Sequence, residues 1–244
     1  MKLYYIYHSG FAIETMNSMI IIDYYKDANI SSSPKKLVED VLLNTNKNIY
    51  VLSTHIHHDH FAPHIFEWRK NNPTIKYILS SDILESKECC KKNEAIFIGR
   101  GESYKDDNLC IEAYGSTDAG ISFAITIDGR RIFHAGDLNN WHWKDESSKE
   151  YSQEAQEFYL RELAFLKEHH REFDLVMFPV DQRLQTDYYL GAQQFVENIK
   201  VHYFAPMHFG EHYTEANDFE KIASKNGATF LKINHPGEEF EIKF

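Results

Sequence analysis

The chain of 244 residues is 43% hydrophobic, long enough to bury a substantial core and compatible with one domain spanning 1–244. Its 37 Asp and Glu against 26 Lys and Arg give a formal charge of -11, opposite to the basic surface that contact with a phosphate backbone requires, so nucleic acid is disfavoured as a partner. No run approaches the ~18 to 20 apolar residues of a membrane span, and the opening lacks a basic segment followed by a long apolar core; the expectation is a soluble, cytoplasmic protein with no membrane partner.

Short β-rich runs at Lys2–Tyr7, Phe11–Glu14 and Met19–Asp23 predict hairpins at the start. Ser33-Pro34 followed by Leu37, Val38, Val41 and Leu42 predicts a capped amphipathic helix. Ile49–Ser53 is a compact apolar strand that runs directly into a histidine cluster. Further strands are expected at Lys76–Leu79, Ala95–Ile98, Leu109–Ala113, Ile121–Ile127 and Arg131–His134, the last two joined by an Asp128-Gly129 turn. The second half alternates: a helix from Ser152 to about His170, a strand at Leu175–Val180, a helix near Ala192–Lys200, a strand at His202–Pro206, a helix at Glu215–Lys225 and closing strands. With 6 Pro and 11 Gly spread along the chain, no linker marks a domain boundary, and no repeat of sequence is visible. Cys89, Cys90 and Cys110 make neither a disulfide framework nor a CxxC knuckle and read as small buried apolar residues.

The segment Ser53-Thr54-His55-Ile56-His57-His58-Asp59-His60 crowds imidazoles and a carboxylate onto the end of a buried strand, where loops customarily build sites. Nitrogen and carboxylate oxygen donors suit zinc, iron or manganese, and alternation places His55 and His57 together, away from Ile56.

This segment matches the His-x-His-x-Asp-His signature and resembles that of the metallo-β-lactamase superfamily of metal-dependent hydrolases. Two distant segments agree with it: Ile132-Phe133-His134-Ala135-Gly136-Asp137 resembles the strand that ends on a bridging carboxylate, and Ala205-Pro206-Met207-His208-Phe209 resembles the strand that carries the last histidine. The opening His8-Ser9-Gly10-Phe11, with Ile20–Asp23, is similar to the branch that includes ascorbate-6-phosphate lactonase. The resemblance implies a four-layer αββα sandwich, two facing mixed β-sheets with outer helices. It also implies one or two divalent metal ions, zinc foremost with manganese or iron as alternatives. His55 and His57 would bind the first metal, Asp59, His60 and His208 the second, and Asp137 would bridge. The family's further first-site histidine is absent, because the corresponding stretch reads Gly115-Ser116-Thr117-Asp118-Ala119-Gly120 and no histidine occurs between His64 and His134. Asp118 is the best substitute because an ionised carboxylate binds such metals better than a hydroxyl, with Ser116, a water, or His8 arriving from the N-terminal hairpin as alternatives.

Asn139-Asn140-Trp141-His142-Trp143 directly follows Asp137 and is placed at the pocket mouth, with packing under the next helix as the competing reading for the tryptophans. Asp181 and Arg183 read as a structural ion pair rather than a substrate clamp, and His134 as a neighbour that supports the metal ligands. His169, His170, His202, His212 and His235 lack a partner motif and read as surface or helix-end residues. The function this implies is hydrolysis of a small ester, lactone or phosphate-containing molecule by a metal-activated water, with Asp59 holding the second ion and orienting the nucleophile. The alternatives are a catalytically inactive metal-binding protein on the same fold and a metallo-nuclease or phosphodiesterase. A flavodiiron-like oxidoreductase would show a carboxylate at His57 and an attached flavin domain. Substrate, metal identity and oligomeric state are not specified by the sequence.

Overall fold

The computed structural model describes residues 1–30, 33–86, 93 and 95–244. Two seven-stranded sheets face each other. The first contains β1 (Lys2–Tyr7), β2 (Gly10–Glu14), β3 (Ser18–Ile22), β4 (Asn48–Ser53), β5 (Lys76–Ser80) and β6 (Ile96–Ile98) in chain order, with the late strand β14 (Glu239–Glu241) added beside β1. The second runs β13 (Thr229–Phe230), β12 (Lys200–Met207), β11 (Glu172–Pro179), β10 (Arg130–His134), β9 (Ile121–Ile127), β8 (Leu109–Gly115) and β7 (Ser103–Lys105). Each sheet is mixed: β1 to β3 and β7 to β10 pair antiparallel, whereas β3 to β6 and β10 to β13 pair parallel.

Strand periodicity builds the layers. Leu3, Tyr5, Ile20, Ile22, Tyr50 and Leu52 point into the core shared with the second sheet, while their neighbours Tyr4, Ile6, Met19, Ile21, Ile49 and Val51 pack on the other face of the same strands. That outer face is covered by a 3₁₀ segment at Pro63–Lys70, which contributes Ile65, Phe66 and Trp68, and by α1 (Ser81–Glu85). On the second sheet, α2 (Lys149–His169) buries Tyr159, Leu163 and Leu166, and α3 (Leu190–Asn198) buries Phe195 and Val196. The result is the expected four-layer αββα sandwich.

Local corrections have physical causes. The helix expected from Pro34 is a single π-helical turn at Val38–Leu42, because the Asp27 carboxylate, and not Ser33, accepts the Val38 and Glu39 amides at 2.9 and 3.0 Å. The helix expected over Glu215–Lys225 divides into α4 (Tyr213–Asp218) and α5 (Glu220–Lys225) around Phe219, whose ring is buried 5.0 Å from that of Phe204. Cys89 and Cys90 lie outside the described residues; Cys110 is a half-buried free thiol on β8. No helix among the described residues is long and apolar enough to cross a membrane.

Candidate metal centre

The parallel strands of both sheets deliver their C-terminal ends to one edge of the sandwich. Asp23 follows β3, His55 follows β4, Asp137 follows β10, Asp181 follows β11 and His208 follows β12, while His8 follows β1. His8, Asp23 and His208 take left-handed backbone, with φ of 56°, 49° and 63°, so each strand turns sharply as it leaves the sheet.

Two groups of donor atoms converge there, each with its atoms within 4.8 Å of one another: His55, His57 and Asp137, and His8, Asp59, His60 and His208. Asp137 joins them. Its Oδ2 lies 3.4 Å from His55 Nε2, and its Oδ1 lies 3.2 Å from His60 Nε2 and 3.3 Å from His208 Nε2. Asp137, the residue that the resemblance makes the bridging carboxylate, thus turns one oxygen toward each group.

Two carboxylate–histidine pairs orient the rings. His60 Nδ1 lies 2.7 Å from Asp23 Oδ2, and His208 Nδ1 lies 2.9 Å from Asp181 Oδ2. Each pairing directs the opposite nitrogen, Nε2, toward Asp137. Asp23 also accepts the Thr54 amide and hydroxyl, both at 2.7 Å, which ties the start of the histidine loop to the end of β3. Asp82 accepts the Ile56 amide at 3.0 Å and fixes the loop from the other side. Sequence reasoning passed over Asp23 and Asp82 as functional residues. A carboxylate at a strand end or in the first turn of a helix is common, and only folding shows what it faces.

The electrostatics follow. Burial opposes the charge on His60 and His208, yet Asp137 and Asp23 hold His60 well above the usual histidine range, and Asp137 with Asp181 raises His208 to about 9. Burial likewise opposes ionisation of Asp137, but His208 and His60 hold its carboxyl well below the ordinary value. His55 is lowered to about 4 by burial and by the neighbouring His60, so at neutral pH its ring is uncharged and one nitrogen keeps a lone pair for a metal. His60 Nε2 and Asp137 Oδ1 are buried without a hydrogen-bond partner. Buried polar atoms are normally paired, so orphaned donor atoms gathered at one point fit a cation.

The proposed substitutes for the absent first-site histidine do not join His55 and His57. Thr117 is pinned to the neighbouring loop, donating to Asn139 O at 2.6 Å and accepting the Asn139 amide at 2.9 Å. That anchor leaves Asp118 half-exposed, its nearest oxygen 3.8 Å from His57 Nδ1 and outside the converging group. Ser116 Oγ accepts the Asp118 amide. His8 reaches the other group: its Nε2 is 3.5 Å from Asp59 Oδ2 and its ring lies 4.2 Å from that of His208. Because Gly210 N–H donates to His8 Nδ1 at 3.2 Å, the proton of the neutral ring sits on Nε2, facing Asp59. His8 in this state orients Asp59 rather than offering a lone pair.

The loop after Asp137 divides. Trp141 and Trp143 line a cavity of about 470 Å3 with His57, Asp59, Asp137 and His208. Asn139, Asn140 and His142 are buried beneath it instead: Asn139 lies against Gly191, Asn140 donates to Gln194 Oε1 at 3.0 Å, and His142 Nε2 faces Asp187 O at 3.3 Å. Their expected place at the pocket mouth is corrected, because α3 packs against this turn. His134 is wholly buried, its Nε2 2.9 Å from Ser9 O and its Nδ1 accepting the Gly136 amide, so it shapes the turn that presents Asp137. Asp181 and Arg183 do form the expected ion pair, but Asp181 also holds His208, and Arg183 lines the cavity.

A sequence profile described as the beta-lactamase superfamily domain matches residues 2–151, more than half of the chain. The chain belongs to the beta-lactamase superfamily. Membership implies divalent metal ions, consistent with the His and Asp groups above. Among solved structures, this superfamily member is similar to Igni18, a metallo hydrolase from the archaeon Ignicoccus hospitalis, with a TM-score of 0.68 at 22% identity over 99% of both chains. It is also similar to an isothiocyanate hydrolase from Delia radicum gut bacteria, with a TM-score of 0.58 at 14% identity over 99% of both chains. CmlA, a diiron β-hydroxylase from Streptomyces venezuelae, has the same fold over 98% of this chain but only 53% of its own, with a TM-score of 0.64 at 12% identity.

Proposed function

We propose that this protein is a metal-dependent hydrolase acting on a small ester, lactone or phosphate-containing molecule. The observation that supports the reading is the pair of carboxylate–histidine contacts, Asp23 to His60 and Asp181 to His208, that aim two Nε2 atoms at Asp137 Oδ1. Asp59, His60 and His208 would hold one ion and His55 and His57 the other, with Asp137 between them. Mixed nitrogen and oxygen donors suit zinc first, with manganese or iron as alternatives. Bound ions would supply Lewis acidity and bring the pKa of a coordinated water from ~15.7 toward ~7.

The chain's own residues do the rest. Burial opposes ionisation of Asp59, but His8 and His60 keep its carboxylate below the usual range, so at neutral pH it is charged and can orient the attacking water as a hydrogen-bond acceptor. Asp137 is shielded from solvent and stays ionised, so its oxygens would be available to the ions without competing protons. The first group offers three protein donors, His55, His57 and Asp137, and a set of three is the pattern of catalytic rather than structural zinc sites. That favours an enzyme over an inactive metal-binding protein. The acidic overall charge keeps a nuclease behind a small-molecule hydrolase.

The test is metal analysis of protein purified without chelator, followed by turnover of nitrophenyl acetate, a γ-lactone and bis-nitrophenyl phosphate. Metal-dependent hydrolysis of at least one, abolished by Asp137→Ala, is expected. A metal-loaded protein inert toward all three supports the inactive reading.

A further inference from the structure

α2 carries two apolar stripes. Tyr159, Leu163 and Leu166 are buried in the core, but Tyr151, Ala155 and Phe158 form a second stripe at helical spacing, with Tyr151 50% and Phe158 39% exposed. This second stripe lines a cavity of about 420 Å3 together with Thr117, Trp141 and Arg161. Thr117, Trp141 and Tyr151 also line the cavity over the metal-ligand residues, so the two spaces are neighbours that share these residues as a wall. Each is of a size that holds a small molecule.

The two adjoining cavities differ in chemistry. Among the described residues lining the metal end, Arg183 is the one Lys or Arg side chain. Asp181, itself 1% exposed, grips it: Arg183 Nε lies 3.0 and 2.9 Å from the two carboxylate oxygens and Nη2 lies 2.5 Å from Oδ2. That grip occupies one side of the guanidinium and immobilises it. No bond to Nη1 occurs among the described residues, so a rigid donor edge is left for a further oxygen. At the other end, Glu154 and Glu157 flank the stripe and would repel a second anionic group, while the Arg161 guanidinium lies 5.6 Å from the Phe158 ring.

Resting on the hydrolase reading above, we propose that the substrate carries an anionic oxygen group close to its scissile bond, recognised by Arg183, and an uncharged apolar limb of aryl or short alkyl size that lies along Tyr151, Ala155 and Phe158. Arg183 is the specificity residue for the anionic end, and the exposed α2 stripe is the specificity surface for the limb. The buried Asp181 serves both the centre and its substrate, because one carboxylate orients His208 and Arg183 together.

Equilibrium binding to the metal-loaded protein tests this without relying on turnover. Acetate, phenylacetate, phenylpropionate, phenylbutyrate and phenylbutyramide are titrated by calorimetry, and metal content is measured for every variant. At least one phenylalkanoate is expected to bind about tenfold tighter than acetate, and phenylbutyrate about tenfold tighter than its neutral amide. Ala155→Trp, which fills the side cavity, should erase the preference over acetate, and the exposed Phe158→Ala should reduce it. Arg183→Met should erase the preference for the acid over the amide, and Arg183→Lys should retain part of it. Equal affinity for acetate and all phenylalkanoates, or selectivity unchanged in Ala155→Trp and Phe158→Ala, overturns the limb assignment. Acid-over-amide selectivity unchanged in an Arg183→Met protein of full metal content overturns the anion assignment. Selective binding with no hydrolysis of any ester would sink the hydrolase reading alone, whereas hydrolysis without selectivity would sink this inference alone.

Discussion

Asp23 Oδ2 lies 2.7 Å from His60 Nδ1, and neither side chain touches solvent. Asp23 therefore sets which nitrogen of His60 carries the proton and which faces Asp137. Asp23→Asn keeps the shape but removes the charge, and should weaken metal binding about 10- to 100-fold, the usual cost of losing such a partner. Metal affinity is read by competition with a chromophoric chelator. An unchanged affinity would reduce Asp23 to a fold residue that merely ties Thr54 to β3.

His8 separates two roles that its position alone leaves together. If it orients Asp59 through Nε2–H, His8→Gln supplies an amide donor in its place and should restore most of the metal affinity that His8→Ala loses. A ligand role predicts that Gln and Ala weaken binding equally, since a glutamine amide is a poor replacement for imidazole. Asp118→Ala is expected to keep full metal content, because its carboxylate is half-exposed and lies outside both converging groups. Calorimetric titration of the metal-free protein should show one tight step and one weaker one.

Gly120 sits with φ of 63° beneath the histidine loop, where an added Cβ would come within 2.1 Å of Thr54 O and 2.5 Å of His55 Cβ. Gly120→Ala must push the loop away or strain its own backbone, so it should destabilise the protein by about 1–3 kcal/mol and lower metal content together. A shift in the urea midpoint with metal content intact would show that the core yields and the loop does not.

Metal binding should depend on pH in one direction. His208, raised to about 9 by Asp137 and Asp181 against the opposing effect of burial, must lose its proton to become a ligand. Affinity should rise with pH through about 9, by about tenfold per unit for each proton displaced. In metal-free protein the same shift acts on stability. A histidine whose folded value exceeds its unfolded 6.5 contributes fully below pH 6.5, and that contribution is lost as pH rises through about 9. The thermal midpoint of chelator-treated protein should fall across that window, while the loaded protein, whose His208 is already deprotonated, should not follow it.

The strands, their chain order and the ligand motif were legible because they are local. Alternating apolar residues such as Leu3, Tyr5, Ile20 and Ile22 mark one buried face of a strand whatever lies opposite, and five donors within six residues from His55 mark a loop that can bind metal. The start of the helix at Val38 and the break at Phe219 were not legible, because the carboxylate that caps the first and the ring that packs beside the second lie outside the helices themselves. The same limit applied to the site. Residue types and resemblance pointed to His55, His57, Asp59, His60, Asp137 and His208, but what each neighbouring side chain does was decided by the meeting of strand ends from two sheets. Asp23 and Asp181 became partners of His60 and His208, Arg183 an edge of the cavity, and Asn139 and Asn140 buried packing residues, only through contacts that span tens of residues. Hydrogen bonds and ion pairs act over a few ångströms of space, and chain separation carries no information about that distance until the sheets have stacked.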